Sequence, residues 1–186
     1  MAKPKPPHPI LQTPRLRLRQ FRPDDAAAMH LCFTSPDVMR FWNQPLFTRL
    51  IESERQVRNY TECTPAYYRY WAIADATTDK CLGLASYHDG HIRSKRASIG
   101  YMIHPAHHRK GLATEAVSAL LDHCFGELRL HRLEAFIHPD NTASRALVEK
   151  RGFQPEGLLR DHARVGETWR DQLIYARLTP HLDTQP

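Results

Sequence analysis

Hydrophobic and polar positions change period several times along the chain, most sharply between Ser98 and Phe125. An apolar run from Ser98 to Ile103 stops short of Pro105, which has no N–H for a sheet ladder, so it predicts a strand. Beyond it, Ala113, Ala116, Val117, Leu120, Leu121 and Cys124 recur at helical spacing and draw one stripe along a helix. Upstream, alternation over Arg15-Leu16-Arg17-Leu18-Arg19 predicts a strand with a solvated arginine face and an apolar leucine face. Pro23-Asp24-Asp25 starts a helix that runs to about Phe33, Asp37 to Trp42 adds a helical turn, and Thr48 to Cys63 reads as a surface helix.

Tyr67 to Ala74 and Cys81 to Tyr87 read as strands joined by a polar turn, and with the Ser98 strand they form an antiparallel meander. Downstream come a strand from Arg132 to His138, a short helix from Ala143 to Lys150, and strands over Phe153 to Leu159 and Trp169 to Leu178. The first dozen residues carry Pro4, Pro6, Pro7 and Pro9, which predicts a flexible arm over 1–12. That leaves one domain over 13–180 and a tail over 181–186.

Composition narrows the class. Hydrophobic residues are 41% and charged residues 25% of 186, and no apolar run approaches the ~20 residues of a membrane span, so the reading is a globular protein of the cytoplasm. Cys32, Cys63, Cys81 and Cys124 form no Cys-x-x-Cys pair, which argues against a zinc knuckle or redox motif. A net charge of +6 favours anionic ligands. Nucleic acid is disfavoured as a partner, because no aromatic and basic interleaving accompanies the charge. His104, His107 and His108 sit in a segment broken by Pro105, a poor frame for a metal.

Chemistry concentrates where the strand passes into the helix. His108-Arg109-Lys110-Gly111-Leu112-Ala113 is basic, small and glycine-bearing at a helix start. The first turn of a helix has unpaired N–H groups and partial positive charge, which suit a phosphate. A second stretch, His138-Pro139-Asp140-Asn141-Thr142-Ala143-Ser144, offers good helix caps, and local structure accounts for most of it.

Together the two stretches, Ile99-Gly100-Tyr101-Met102-Ile103-His104-Pro105 through Arg109-Lys110-Gly111-Leu112-Ala113-Thr114 and Asn141-x-x-Ser144 to Gly152-Phe153, resemble the GNAT superfamily of N-acetyltransferases, in its RimJ/RimL branch. The resemblance implies an α/β (α+β) GNAT fold: a mixed, twisted sheet of about six or seven strands, helices on both faces, and a splayed central strand pair. It implies acetyl-CoA as cosubstrate, with His108, Arg109, Lys110, Gly111, Leu112, Ala113 and Thr114 cradling the pyrophosphate and Met102, Ile103 and His104 along the pantetheine arm. Asn141 and Ser144 would lie beside the thioester, and Ser144 or Tyr101 would donate to the departing sulfur. The general base stays open among Glu134, His138, Glu167, Asp171 and a water, because Ser98 stands where many members carry Glu. The partners implied are acetyl-CoA and an amine acceptor, the protein being a monomer or homodimer. A protein N-terminal α-amino group is favoured as acceptor, since its pKa near ~7.7–8.0 leaves more neutral amine at pH 7 than a lysine near ~10.4. A small amine acceptor and a non-catalytic acyl-CoA-binding module are the alternatives.

Overall fold

The structure is a computed structural model and describes residues 7–179. One sheet holds β1 (Leu11–Gln12), β2 (Leu16–Arg19), β3 (Arg69–Asp75), β4 (Cys81–His91), β5 (Arg96–Ile103), β6 (Arg132–Ile137), β7 (Gln154–Val165) and β8 (Thr168–Leu178), in the spatial order β1-β2-β3-β4-β5-β6-β8-β7. Neighbours are antiparallel except β5 and β6, which run parallel because a helical crossover joins them. The mixed sheet agrees with the expected fold, with eight strands among the described residues rather than six or seven.

The extra strand comes from the segment expected to be a loose arm. Its prolines end at Pro9, so Leu11 and Gln12 are free to pair with Leu18 and Arg17. Further back, the Trp71 indole donates to the Pro9 carbonyl at 2.9 Å, and His8 Nε2 donates to the Tyr70 carbonyl at 3.0 Å. Residues 7–12 are therefore docked, which corrects the expectation for that part of the arm. Residues 1–6 and the expected tail at 181–186 lie outside the described residues.

Helices α1 (Asp25–Phe33), α2 (Pro36–Met39) and α3 (Leu50–Glu62) cover one face, where Phe21, Met29, Phe33, Val57 and Tyr60 pack against Leu84 and Met102. Helix α4 (Leu112–Asp122) covers the other, its stripe of Ala116, Val117, Leu120 and Leu121 meeting Leu16, Leu18, Trp71, Ile99 and Ile103. Each fully buried Leu contributes about 1.5–3 kcal/mol, so this stripe holds α4 against the sheet. Helix α5 (Thr142–Lys150) adds Val148 to the same cluster. Alternation along β5 sends Ile99 and Ile103 to one core and Met102 to the other.

Two local expectations change. Arg15 and Arg17 remain accessible, but Arg19 is buried and bidentate to Asp25, at 2.8 and 2.9 Å, while Asp25 also accepts from the Arg22 backbone. The arginine face is thus solvated only in part, and the acidic start of α1 belongs to a buried ion pair. Strand β7 runs on to Val165 through a bulge between Leu159 and Ala163, because β8 supplies a ladder that its exposed, polar residues do not announce.

The pairing of β5 with β6 is short. Arg96 opposes Arg132, Ala97 opposes Leu133 and Ser98 opposes Glu134, and no further pair forms. Past this point β5 stays with β4 as far as Ile103, and β6 stays with β8 as far as Ile137. The two strands fork, and the sheet opens there.

Candidate active site

The fork widens into a cleft of about 1040 Å³, lined by Ser98 to Ile103 on one side and Glu134 to His138 on the other. At one end stands the start of α4. Gly111 holds φ at +76° as the residue before the helix, and Arg109 at +59° makes the turn that precedes it. No side chain caps this helix, and Glu115 N–H, bonded to the Gly111 carbonyl at 3.1 Å, is the first donor the helix satisfies. The N–H groups of Leu112, Ala113 and Thr114, residues that line the cleft, form the unpaired first turn.

The loop is held from behind. Arg15 Nη1 donates to the Lys110 carbonyl at 2.9 Å and its Nε to Glu115 at 2.6 Å, while Thr13 also donates to Glu115 at 2.6 Å. Burial alone would raise the Glu115 carboxyl, but the Thr13 hydroxyl and Arg15 outweigh it and hold Glu115 below the usual carboxylate range. From the front, His108 Nε2 donates to the Ile103 carbonyl at 2.7 Å and ties the loop to the end of β5.

Of the expected donor-site residues, Met102, Ile103, His108, Arg109, Gly111, Leu112, Ala113 and Thr114 line the cleft. His104 and Lys110 do not. His104 Nδ1 accepts from Ala106 N–H at 3.2 Å, and Lys110 Nζ donates to the Ala106 carbonyl at 3.2 Å, so both side chains serve the short turn over Pro105–His107.

On the α4 and α5 side, Asn141 caps α5 by accepting from Ser144 N–H at 3.2 Å. The Tyr101 hydroxyl donates to the Ser144 carbonyl at 3.4 Å, and burial pushes its pKa up, so it remains a proton donor at neutral pH. Tyr101, Asn141 and Ser144 come together on the cleft wall.

The opposite face, that of α1 to α3, carries His88, Ser98 and Glu134 in cross-strand register, with Phe136 two residues further along β6. The segment after α2 adds Phe41, Trp42 and Gln44, and Arg170 holds it against β8 by donating to the carbonyls of Arg40 and Trp42 at 3.0 and 3.2 Å. His162 Nδ1 donates to Gln172 Oε1 at 2.7 Å while its ring stacks on Phe136. Gln44 Nε2 is buried without a partner in this wall.

The base candidates separate on this geometry. Glu134 lines the cleft, 6% exposed, but its carboxylate accepts from Arg96 at 3.1 Å and Arg132 at 2.7 Å, so both of its oxygens are already engaged by guanidinium groups. Glu167 pairs with Arg164 at 2.7 Å on the β7–β8 turn, outside the cleft lining. Asp171 accepts from Asp161 N–H at 2.9 Å in the β7 bulge. His138 lines the cleft with Nδ1 accepting from Asp140 N–H at 3.2 Å. His88, His162, Gln172 and Gln44 escaped the sequence reading, because no local motif marks them. The only signal was the end of β4, His88-Asp89-Gly90, which reads as a turn.

Among the described residues no group of three or more His, Cys, Asp or Glu is placed to hold a metal, and no helix is long and apolar enough to cross a membrane.

A forked sheet with an uncapped helix start at one end and a chamber of side chains at the other has the shape and the N–H donors to take a long, phosphorylated ligand. Comparison with known proteins agrees. The description "Acetyltransferase (GNAT) domain" matches residues 15–154. The uncharacterized N-acetyltransferase YoaA of Bacillus subtilis is 34% identical over 92% of this chain and 98% of its own length. The ribosomal protein uS5-alanine N-acetyltransferase of Escherichia coli is 30% identical over 60% of this chain and 58% of its own. In fold, the ribosomal L7/L12 α-N-protein acetyltransferase RimL, solved with coenzyme A, superposes with a TM-score of 0.81 at 20% identity, over 91% of this chain and 98% of that one. The chain belongs to the GNAT family and is an N-acetyltransferase, and acetyl-CoA is the acetyl donor of that family.

Proposed function

We propose that this enzyme acetylates the α-amino group of a protein or peptide N-terminus. The observation that carries the reading is the fork after Ser98 and Glu134, with an anion-ready helix start on one side and a polar chamber on the other. The left-handed Gly111, the uncapped N–H groups of α4 and Arg109 suit a pyrophosphate, and the free edge of β5 from Ile99 to Ile103 suits a chain of amides. These residues fit acetyl-CoA, which supplies an activated acetyl thioester when bound. Ser144, and Tyr101 beside it, are assigned to hydrogen bonding at the sulfur as it gains charge. Asn141 keeps Ser144 in place through the cap.

The acceptor assignment draws on the E. coli relative, which acts on the alanine of a ribosomal protein. It also draws on the chemistry of the site. Glu134 is committed to two arginines, so an acceptor that is easily made neutral fits this chamber better than a lysine does. A panel of N-terminal peptides, polyamines, amino acids and aminoglycosides, read by release of free CoA thiol, tests it. Turnover of peptides with a free N-terminus and none of the same peptides blocked there is the expected result. Turnover confined to small amines assigns the enzyme to that class instead.

A further inference from the structure

The reaction leaves one task without a residue: the ammonium of the acceptor must lose a proton before its nitrogen can attack. We propose that His88 takes it, a proposal that rests on the acetyl transfer to an amine argued above. His88 stands opposite Ser98 in the β4–β5 ladder, and Ser98 is the last residue of β5 that still pairs with β6. Its side chain therefore projects on the acceptor face at the point where the fork opens.

Glycine at position 100 makes room for the ring. A Cβ there would lie 3.3 Å from His88 Cε1, 3.7 Å from its Nδ1 and 3.1 Å from Ser86 Oγ, so the imidazole occupies the space over the first residue of that face beyond the fork. On the other side of the same strand segment, Tyr101 reaches Ser144. His88 and the group assigned to the sulfur thus flank one stretch of β5, as a base and an acid for one transfer require.

The proton count of the ring follows from its neighbour. Nε2 lies 3.9 Å from the Asp89 carboxylate, too far for a hydrogen bond but near enough for its negative charge to favour the proton on Nε2 and leave the lone pair on Nδ1. Burial lowers the pKa below the ordinary 6.5 and Asp89 restores part of the loss, so the ring is neutral at pH 7. The other titratable or charged groups lining the cleft are Asp37, Arg96, Tyr101, His107, His108, Arg109, Glu134, His138, Lys150 and His162, with Arg96 and Glu134 paired to each other. The side chain is 29% exposed, which leaves a route for the proton to return to solvent.

The step balances as follows. His88 Nδ1 takes one proton from the ammonium. The amine lone pair forms the N–C bond to the acetyl carbon, the C–S bond breaks with its electron pair on sulfur, and the second nitrogen proton ends on that sulfur. His88 then releases its proton to water.

The test uses the full chain and a peptide that the wild type turns over. In His88→Gln, kcat/KM at pH 7 is expected to fall about 100-fold while acetyl-CoA affinity stays within about threefold. The acidic limb of the pH profile, with its apparent pKa below 6.5, is expected to vanish with it. Loss of that limb in Glu134→Gln or His162→Asn, with His88→Gln unchanged, overturns the assignment and leaves the acetyl transfer standing. Absence of turnover by the wild type on every amine of the panel removes the proposed function, and the role of His88 with it. Nitrogen-resolved NMR of His88 with acetyl-CoA bound gives a check that needs no acceptor. A neutral ring protonated on Nε2 at pH 7 supports the assignment, and a cationic ring or one protonated on Nδ1 refutes it.

Discussion

The two halves of the cleft are built in opposite ways. The half proposed for the donor is mostly backbone: a left-handed glycine, a bare helix start and a free strand edge, all within Ile99 to Thr114 and braced by Arg15 and Glu115. The half proposed for the acceptor is made of side chains from β4, β5, β6, β7, β8 and the segment after α2, and it is held by ion pairs and one stacked ring. A donor common to a whole family can be gripped through main-chain groups that any sequence supplies. An acceptor that differs between members must be read by side chains, which each member sets for itself.

The contrast is broken most forcefully at Gly111. Valine there would have to hold φ near +76°, which costs a branched side chain more than the ~1–2 kcal/mol of an ordinary residue, although the nearest protein atom to a Cβ is Arg15 Nη2 at an ordinary 3.5 Å. The loop should therefore rearrange without disturbing the core. Calorimetry is expected to show acetyl-CoA affinity reduced by at least about 100-fold in a protein with a wild-type circular dichroism spectrum. Unchanged affinity would show that the main chain is not the grip.

Next in size is Glu134→Gln, which leaves Arg96 and Arg132 facing each other beside a neutral amide. Loss of about 2 kcal/mol in denaturant unfolding is expected, because two charge-assisted hydrogen bonds to the buried carboxylate go while both guanidinium groups stay partly exposed to water. Arg132 retains Glu156 at 2.9 Å, which moderates the loss. If stability is unchanged while activity disappears, Glu134 acts on the substrate and the acceptor wall is not held by this pair.

A smaller effect is expected for Ser144→Ala. Here kcat should fall about 10-fold, the equivalent of one hydrogen bond to a charged atom, with acetyl-CoA affinity within a few-fold. Steady-state kinetics with direct measurement of binding separates the two, and an unchanged kcat removes Ser144 from the chemistry. The Asn141 cap is backbone to side chain and survives this substitution.

The smallest effect belongs to the brace. Glu115 has its carboxyl held below the usual range in the folded protein, so it contributes stability above its unfolded pKa and loses it as pH falls through the folded one. Glu115→Gln should lower the melting temperature by a few degrees at pH 7 and by less at pH 3, since a partly exposed ion pair is worth about 1 kcal/mol or less. A melting difference independent of pH would mean that shape, not charge, holds the loop.

How far the chain could be read in advance follows the same division. The donor loop was legible because strand period, Pro105, Gly111 and helix period fall consecutively, and neighbours in sequence are neighbours in space there. His104 and Lys110 lie outside the cleft lining, because nothing in a sequence says whether a basic side chain reaches toward a cleft or for the nearest backbone group. The α5 start was legible for the same reason, through its cap. Strand β1 was hidden by the prolines before it, and the second half of β7 by polarity, since an edge strand with a wet outer face has no alternation to display.

What the amino-acid order determined is local: the elements, their caps, the anion-ready turn and the segregation of Ile99 and Ile103 from Met102 across the sheet. Tertiary structure alone decided where β5 and β6 part, that Arg19 is drawn inside by Asp25, and that His88 comes to lie over Gly100. Those outcomes depend on register between strands, and register is settled by the summed packing of two faces against α1 to α3 and α4, an energy that no single stretch of the chain contains.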